Sequence, residues 1–177
     1  PNAMQIESAK KLISSFIKPI KDTESVSLMD SLNRVLAINL VSPINVPNYD
    51  NSAMDGFGFN MLSLKNTKKL KVKDTVLAGK PIKFSVTIGE AIQIMTGGKI
   101  PKGVDTVIPI ELVKYANNEI TFIDIPKIGA NIRKCGEDIK QKDITLSKGT
   151  LLYPAELGLI ASLGFSKVKV FKKLRVA

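Results

Sequence analysis

Asp50-Asn51-Ser52-Ala53-Met54-Asp55-Gly56-Phe57, a few residues past Pro47, marks the point at which the texture of this chain changes. Upstream, apolar residues recur at helical spacing. Downstream, from about Asp50 to Asp143, short β-branched runs such as Leu70 to Leu77, Ala91 to Met95 and Val104 to Ile110 are separated by Gly, Pro and Asn, the signature of a β-rich domain. Leu112 to Tyr115 and Glu119 to Ile123 flank Asn117-Asn118, a pair tolerant of positive φ and therefore suited to a hairpin turn. The Asp50–Phe57 stretch itself is rich in turn formers: Asp50 and Asn51 can bond their own backbone, and Asp55-Gly56 can close a tight turn.

On the N-terminal side, Met4 to Lys18 place Ile6, Ala9, Leu12, Ile13, Phe16 and Ile17 three and four residues apart, which predicts an amphipathic helix stopped by Pro19. Its apolar face exceeds what a chain this size covers, so it is expected to dock on a further domain or a second copy. Pro1 to Ala3, ahead of Met4, resemble the remnant of an expression tag and are set aside. A second helix is predicted from Ser27, with Asp30 three residues on, through Leu28, Leu32, Val35 and Leu36. Ser42 to Pro47 then breaks regularity with two prolines.

After Gly149 helix chemistry returns. Pro154 suits a first turn, Leu157, Ile160 and Ala161 share a face, Gly164 is a C-terminal stop, and Lys167 to Phe171 reads as a strand. Leu174 to Ala177 reads as the opening of another strand, which suggests a truncated chain. The expected fold class is thus α+β: an N-terminal amphipathic helix at 4–20, a small discontinuous α/β unit at 21–43 and 143–177, and an inserted β-rich domain at 44–142.

Composition narrows the chemistry. The 177 residues contain no histidine, which removes Ser-His and Cys-His catalysis and His-based zinc sites, and a single cysteine, Cys135, excludes an intrachain disulfide. Apolar runs are too short for a membrane-spanning helix, and the expected location is cytoplasmic. Lys and Arg number 26 against 16 Asp and Glu, a formal charge of +10 that favours anionic partners. Nucleic acid is not the expected one, because only 6% of residues are aromatic; the lysines from Lys65 to Lys73 read instead as a solvated loop and strand edge.

Three segments can carry chemistry. The Asp50–Phe57 loop can present two carboxylates, a hydroxyl and bare amides to a ligand, although Asp-Asn-Ser and Asp-Gly are equally plain turn formers. Met95-Thr96-Gly97-Gly98-Lys99-Ile100-Pro101-Lys102-Gly103 follows an apolar strand, and its glycines let successive N–H groups converge on an anion; an ordinary β-turn with exposed lysines is the alternative. It lacks Walker spacing. In Arg133-Lys134-Cys135-Gly136-Glu137-Asp138-Ile139 two acids adjoin two bases. Carboxylates brought near Asp55 can hold Mg²⁺, which takes a few oxygen ligands and keeps water and phosphate for the rest; alone, the segment passes for a surface salt-bridge patch.

Together the three segments resemble the motif blocks of the MoeA/gephyrin family: a proline followed by DNSAMDG(Y/F), an MTGxxxPxGxD.V....E stretch and a GEDI element. Here these are Pro47 with Asp50 to Phe57, Met95 to Glu111 with Pro101, Gly103, Asp105 and Val107, and Gly136 to Ile139. The Ala155-Glu156-Leu157 helix leading to Ala161-Ser162-Leu163-Gly164 fits as well. The resemblance spans nearly the whole chain from Met4.

What it implies is the N-terminal part of a molybdopterin molybdenumtransferase, an elongated homodimer in which a β domain of bifurcated, coiled sheets is inserted into an α/β unit. Such enzymes use Mg²⁺ to insert molybdate into adenylyl-molybdopterin with release of AMP, and the pterin adenylyltransferase is a further partner. Family members continue into a molybdate-handling domain and a β-barrel, so this stretch would form one wall of a cleft and is expected to be inactive alone. Carried over by motif, Asp55, Thr96 and Asp138 are the catalytic candidates. Asp55 and Asp138 would hold the metal, Thr96 and the amides of Gly97 and Gly98 would steady an oxyanion, and Asn51, Ser52 and Glu137 would line the substrate. Phe57 stands where tyrosine is common and Gly98 where alanine is common, swaps expected to preserve local shape. Rival readings are a scaffold module of the gephyrin type and a basic nucleic-acid-binding β domain.

Overall fold

The computed structural model describes residues 4–65, 67–80 and 84–175. By internal contacts the chain divides into two compact units, Pro1–Val41 with Ile144–Ala177, and Ser42–Asp143. In chain order the first unit contributes helix α1 (Ile6–Phe16) and strands β1 (Thr23–Ser27) and β2 (Leu40–Val41). The second contributes β3 (Asn51–Ser52), β4 (Gly56–Phe59), β5 (Lys69–Val76), β6 (Glu90–Ile94), β7 (Thr106–Pro109), β8 (Val113–Ala116), β9 (Glu119–Phe122) and β10 (Ile132–Arg133). The chain returns to the first unit with β11 (Ile144–Leu146), helix α2 (Pro154–Ser162) and β12 (Lys167–Phe171). The described residues are therefore mostly β with two α-helices, neither long and apolar enough to cross a membrane.

In the first unit β1 pairs antiparallel with β12 and β2 with β11. Period-two alternation in β12 turns Val168 and Val170 inward, where Leu36, Leu40, Leu152, Ile160 and Leu163 are also buried. α2 starts with Pro154 and a Glu156 carboxylate that accepts the Tyr153 amide at 3.0 Å, and Gly164 ends it at φ 87°. Its inward face is Ile160 with half-buried Leu157, while Ala161, expected on that face, is exposed. α1 buries none of its residues: Ile6, Leu12, Ile13 and Phe16 all face solvent.

The helix predicted from Ser27 to Leu36 does not form. The Ser27 hydroxyl does accept the Asp30 amide at 3.2 Å, as a cap should, but the helical stretch is one 3₁₀ turn, Met29–Ser31. Asn33 then takes φ 59°, and Val35 and Leu36 bridge to Leu151 and Val170. Strand partners in the return segment outweigh a local cap that has only a few residues to propagate into. Leu174 and Arg175 form no strand, and the rest of that predicted strand lies outside the described residues.

The second unit is built on a six-stranded sheet in the order β7-β4-β6-β5-β9-β8, with one parallel pair, β5–β6. One face carries Phe57, Phe59, Leu70, Ala91, Ile108, Val113, Ile120 and Phe122, with Phe59 and Phe122 edge to face at 4.9 Å. The other carries Val76, Val86, Ile92, Ile94 and Val107. Asn117 and Asn118 take φ 53° and 59° in the β8–β9 turn, as their sequence predicts. The Lys65–Lys73 run is not an edge: β5 has neighbours on both sides, and Lys69, Lys71 and Lys73 stay exposed because they alternate with Leu70 and Val72.

Both faces of β4 are covered: neighbouring backbone comes close at Gly56, and the Val104 and Ile92 side chains close in at Gly58. A Cβ on Gly56 would lie 1.9 Å from the Ile108 carbonyl oxygen. Gly56→Ala is therefore expected to destabilise the protein by at least about 3 kcal/mol. Urea denaturation checks this, and a midpoint equal to that of the wild type would contradict it.

Candidate functional site

The three segments singled out in the sequence meet on β3. Along one edge, the Ser52 amide donates to the Gly98 carbonyl at 2.9 Å, the Gly97 amide donates to Ser52 O at 2.8 Å, and the Ile100 amide donates to Asp50 O at 2.9 Å. Along the other, β10 pairs antiparallel, Ser52 opposite Ile132 and Asn51 opposite Arg133. A two-residue strand thus carries the glycine turn on one side and the approach to the acidic loop on the other.

Asp55 and Thr96 are brought into direct contact. The Thr96 amide and hydroxyl both donate to Asp55 Oδ1 at 2.7 Å, while Asp55's own carbonyl accepts the Ile110 amide at 3.1 Å. The amide, then the hydroxyl, holds this exposed carboxyl below its ordinary value. Its other oxygen, Oδ2, has no protein hydrogen-bond partner among the described residues.

Asp138 and Glu137 form a separate group around Arg133. The Arg133 Nη2 donates to both oxygens of Asp138 at 2.7 Å, and Nε donates to Glu137 Oε1 at 2.6 Å. The second Glu137 oxygen accepts the Lys134 amide at 2.6 Å. The guanidinium chiefly, and that amide, hold Glu137 below the usual carboxylate range. Exposed ion pairs of this kind add little stability; what the network does is orient three side chains.

Several expected roles change once partners are visible. Asn51 and Ser52 are buried, and the Ser52 hydroxyl donates to the Met54 carbonyl at 2.6 Å while accepting the Met54 amide at 3.3 Å, so it holds the turn that presents Asp55. The amides of Gly97 and Gly98 do not converge on an open anion site: they are spent on Ser52 O and Met95 O, each at 2.8 Å. Thr96 likewise gives its amide and hydroxyl protons to Asp55. Nor would alanine at Gly98 leave the shape untouched, since its Cβ would stand 2.8 Å from Met95 O. Phe57 points into the core against Tyr115, not toward the site.

Arg133, not among the expected site residues, turns out to be the hub of the acidic loop, and Asp50, read as a turn former and one of two carboxylates the loop can present, joins two loops. Asp50 Oδ1 accepts the Cys135 amide and Oδ2 the Lys134 ammonium, both at 2.8 Å, and the Lys134 bond is the main reason its carboxyl sits below the ordinary value. Two bases beside two acids were the available signal. Lys99 lies over the Tyr49 ring, 5.6 Å from its centre.

Among the described residues no three His, Cys, Asp or Glu side chains are grouped to share a metal ion. Asp55 nonetheless fits as one ligand of Mg²⁺, being exposed, ionised and free at one oxygen. Asp138 fits only if Arg133 releases it.

The family model for the MoeA N-terminal region (domain I and II) matches residues 4–164. A molybdopterin molybdenumtransferase from Haemophilus influenzae is 42% identical over 155 residues, covering 87% of this chain and 38% of the relative. One from Bacillus subtilis is 35% identical over 161 residues, 86% of this chain and 37% of the relative. The crystal structure of the molybdopterin biosynthesis moeA protein from Pyrococcus horikoshii OT3 superposes with a TM-score of 0.88 at 36% identity, over 93% of this chain and 45% of that one. This chain belongs to the family defined by the MoeA N-terminal region. It spans about two fifths of the length of the curated relatives it matches.

Because Asp55 is lowered mainly through Thr96, its contribution to stability is full above the ordinary carboxylate value and is lost as pH falls through the lowered one. Thr96→Val removes the hydroxyl bond and is expected to raise the Asp55 pKa toward its ordinary value. A carboxylate titration followed by NMR reads this directly; an unmoved titration would separate Thr96 from Asp55.

Proposed function

We propose that this chain forms one wall of the active-site cleft of a homodimeric, cytoplasmic molybdopterin molybdenumtransferase, which inserts molybdate into adenylyl-molybdopterin and releases AMP. The observation that carries the reading is the convergence of the three segments on β3, with Asp55 held ionised by Thr96 past one end of the strand and an acidic loop organised by Arg133 past the other. The names of the relatives agree with it. An inserted β domain of bifurcated, coiled sheets and a partnership with the pterin adenylyltransferase belong to the same reading.

The roles follow from the bonding. Asp55 is the catalytic carboxylate: its free oxygen faces outward while Thr96 keeps it charged and fixed in one direction. Asp138 is the second acid, delivered on a loop where Arg133 balances its charge; it would hold a metal only with that guanidinium turned away. Mg²⁺ held by Asp55 and Asp138 would supply neutralising charge at the phosphoanhydride. Gly97 and Gly98 serve the substrate by shaping a turn that can press against β3, Asn51 and Ser52 by anchoring it, and Glu137 by aiming Arg133. An excess of basic residues suits a substrate with several phosphate charges and a molybdate co-substrate.

Asp55→Asn in the full-length protein keeps the acceptor for Thr96 and removes the charge. Molybdate-dependent AMP release is expected to fall by about 10²-fold or more with the fold intact by circular dichroism. Unchanged release would remove Asp55 from the reaction.

A further inference from the structure

Loops that carry chemistry on their side chains need something rigid to hold them, and the two loops here are held differently. The glycine turn is fixed to β3 by main-chain bonds. The far half of the acidic loop is also fixed by backbone, with the Gly136 amide on Pro47 O at 2.9 Å and the Asp138 amide on Val46 O at 3.0 Å. Between β10 and Gly136 the one main-chain bond of this kind among the described residues stays inside the loop, the Glu137 amide on Lys134 O at 3.1 Å. There Lys134 and Cys135 are exposed, and the Lys134 amide is bonded within the loop itself, to Glu137. What joins this stretch to the rest of the unit is the Asp50 carboxylate, one oxygen on the Cys135 amide and the other on the Lys134 ammonium.

From this we propose that Asp50 is a positioning residue: its carboxylate clamps the Lys134–Cys135 turn, and through Glu137 sets Arg133 and Asp138 relative to the strand from which Asp55 is presented. The chain of contacts is continuous. Asp50 holds Lys134 and Cys135, Glu137 holds the Lys134 amide and Arg133 Nε, and Arg133 holds both oxygens of Asp138. In the same residue the backbone carbonyl receives Ile100, at the end of the turn that carries Thr96. One residue therefore touches both loops, the first by its main chain and the second by its side chain. Its distance along the chain from the acidic loop makes the clamp invisible to local sequence reading. Charge supports the arrangement as well, since Asp50 and Glu137 are two acids close enough to oppose each other, and Lys134 and Arg133 stand beside them as the balancing cations.

A residue that only stabilises the fold and one that sets geometry differ in what their loss moves. The clamp rests on the transferase reading for its effect on turnover, but its effect on the loop does not. In the full-length protein, Asp50→Ala is expected to lower kcat for molybdate-dependent AMP release about tenfold or more while KM for adenylyl-molybdopterin stays within about threefold, the pattern of displaced rather than missing groups. Hydrogen exchange over residues 133–139 should accelerate about tenfold, with β4 and β6 unchanged. Asp50→Asn, which keeps an acceptor for the Cys135 amide but loses the charge facing Lys134, should fall between the two.

A kcat within about threefold of wild type in Asp50→Ala overturns the proposal. So does unaltered exchange over 133–139, or a loss of activity that vanishes when counted per folded molecule. If the wild-type protein releases no AMP at all, the transferase reading fails and the exchange measurement alone decides the clamp. Should Asp50→Ala not fold, Lys134→Met leaves β3 untouched and removes one arm of the clamp; faster exchange over 133–139 supports the proposal, and unchanged exchange overturns it.

Discussion

Everything about the site depends on β3, two residues whose main chain is bonded on both edges. Ser52 gives its amide and carbonyl to the glycine turn, and Asn51 and Ser52 lie opposite Arg133 and Ile132 on the other side. A strand this short has almost no stability of its own. It persists because it is flanked on both sides and because Asn51 and Ser52 are buried, where an unpaired backbone group is costly. The same pairing that saturates those groups sets three chain segments beside one another.

Close approach is the second constraint. The glycine turn can press against β3 because Gly97 accepts φ 76° and Gly98 has no side chain to meet Met95 O. Immediately after β3, Gly56 lets β4 lie against β7. Chemistry and core are therefore contiguous in sequence: Asp55 is exposed, and the next four residues are buried. A buried, covered strand is the kind of rigid support that a projecting carboxylate needs if it is to keep one direction.

Electrostatics then differentiates the acids. Asp55 is lowered by neutral donors from Thr96, which leaves its charge uncompensated and one oxygen open. Asp50 is lowered chiefly by Lys134 and Glu137 chiefly by Arg133, so their charges are spent within the protein. Three carboxyls in one region thus hold different positions: one offers charge outward, and two organise cations. Asp138 stands between these cases, exposed but paired to Arg133.

Much of this was legible in the residues themselves. Asn117-Asn118 between two strand-like runs predicted the β8–β9 hairpin, Pro154 and Gly164 bracketed α2, and the segments Asp50–Phe57, Met95–Gly103 and Arg133–Ile139 are those that meet on β3, because turn chemistry is a local property. What the tertiary structure decided is pairing. It replaced the helix expected after Ser27 with strand contacts from the far end of the chain, made β5 an inner strand, and took the Gly97 and Gly98 amides for the protein's own carbonyls. It also gave Asp50 its partners 84 and 85 residues away. A donor or acceptor has no fixed use until a partner arrives from elsewhere in the chain, and no local pattern names that partner.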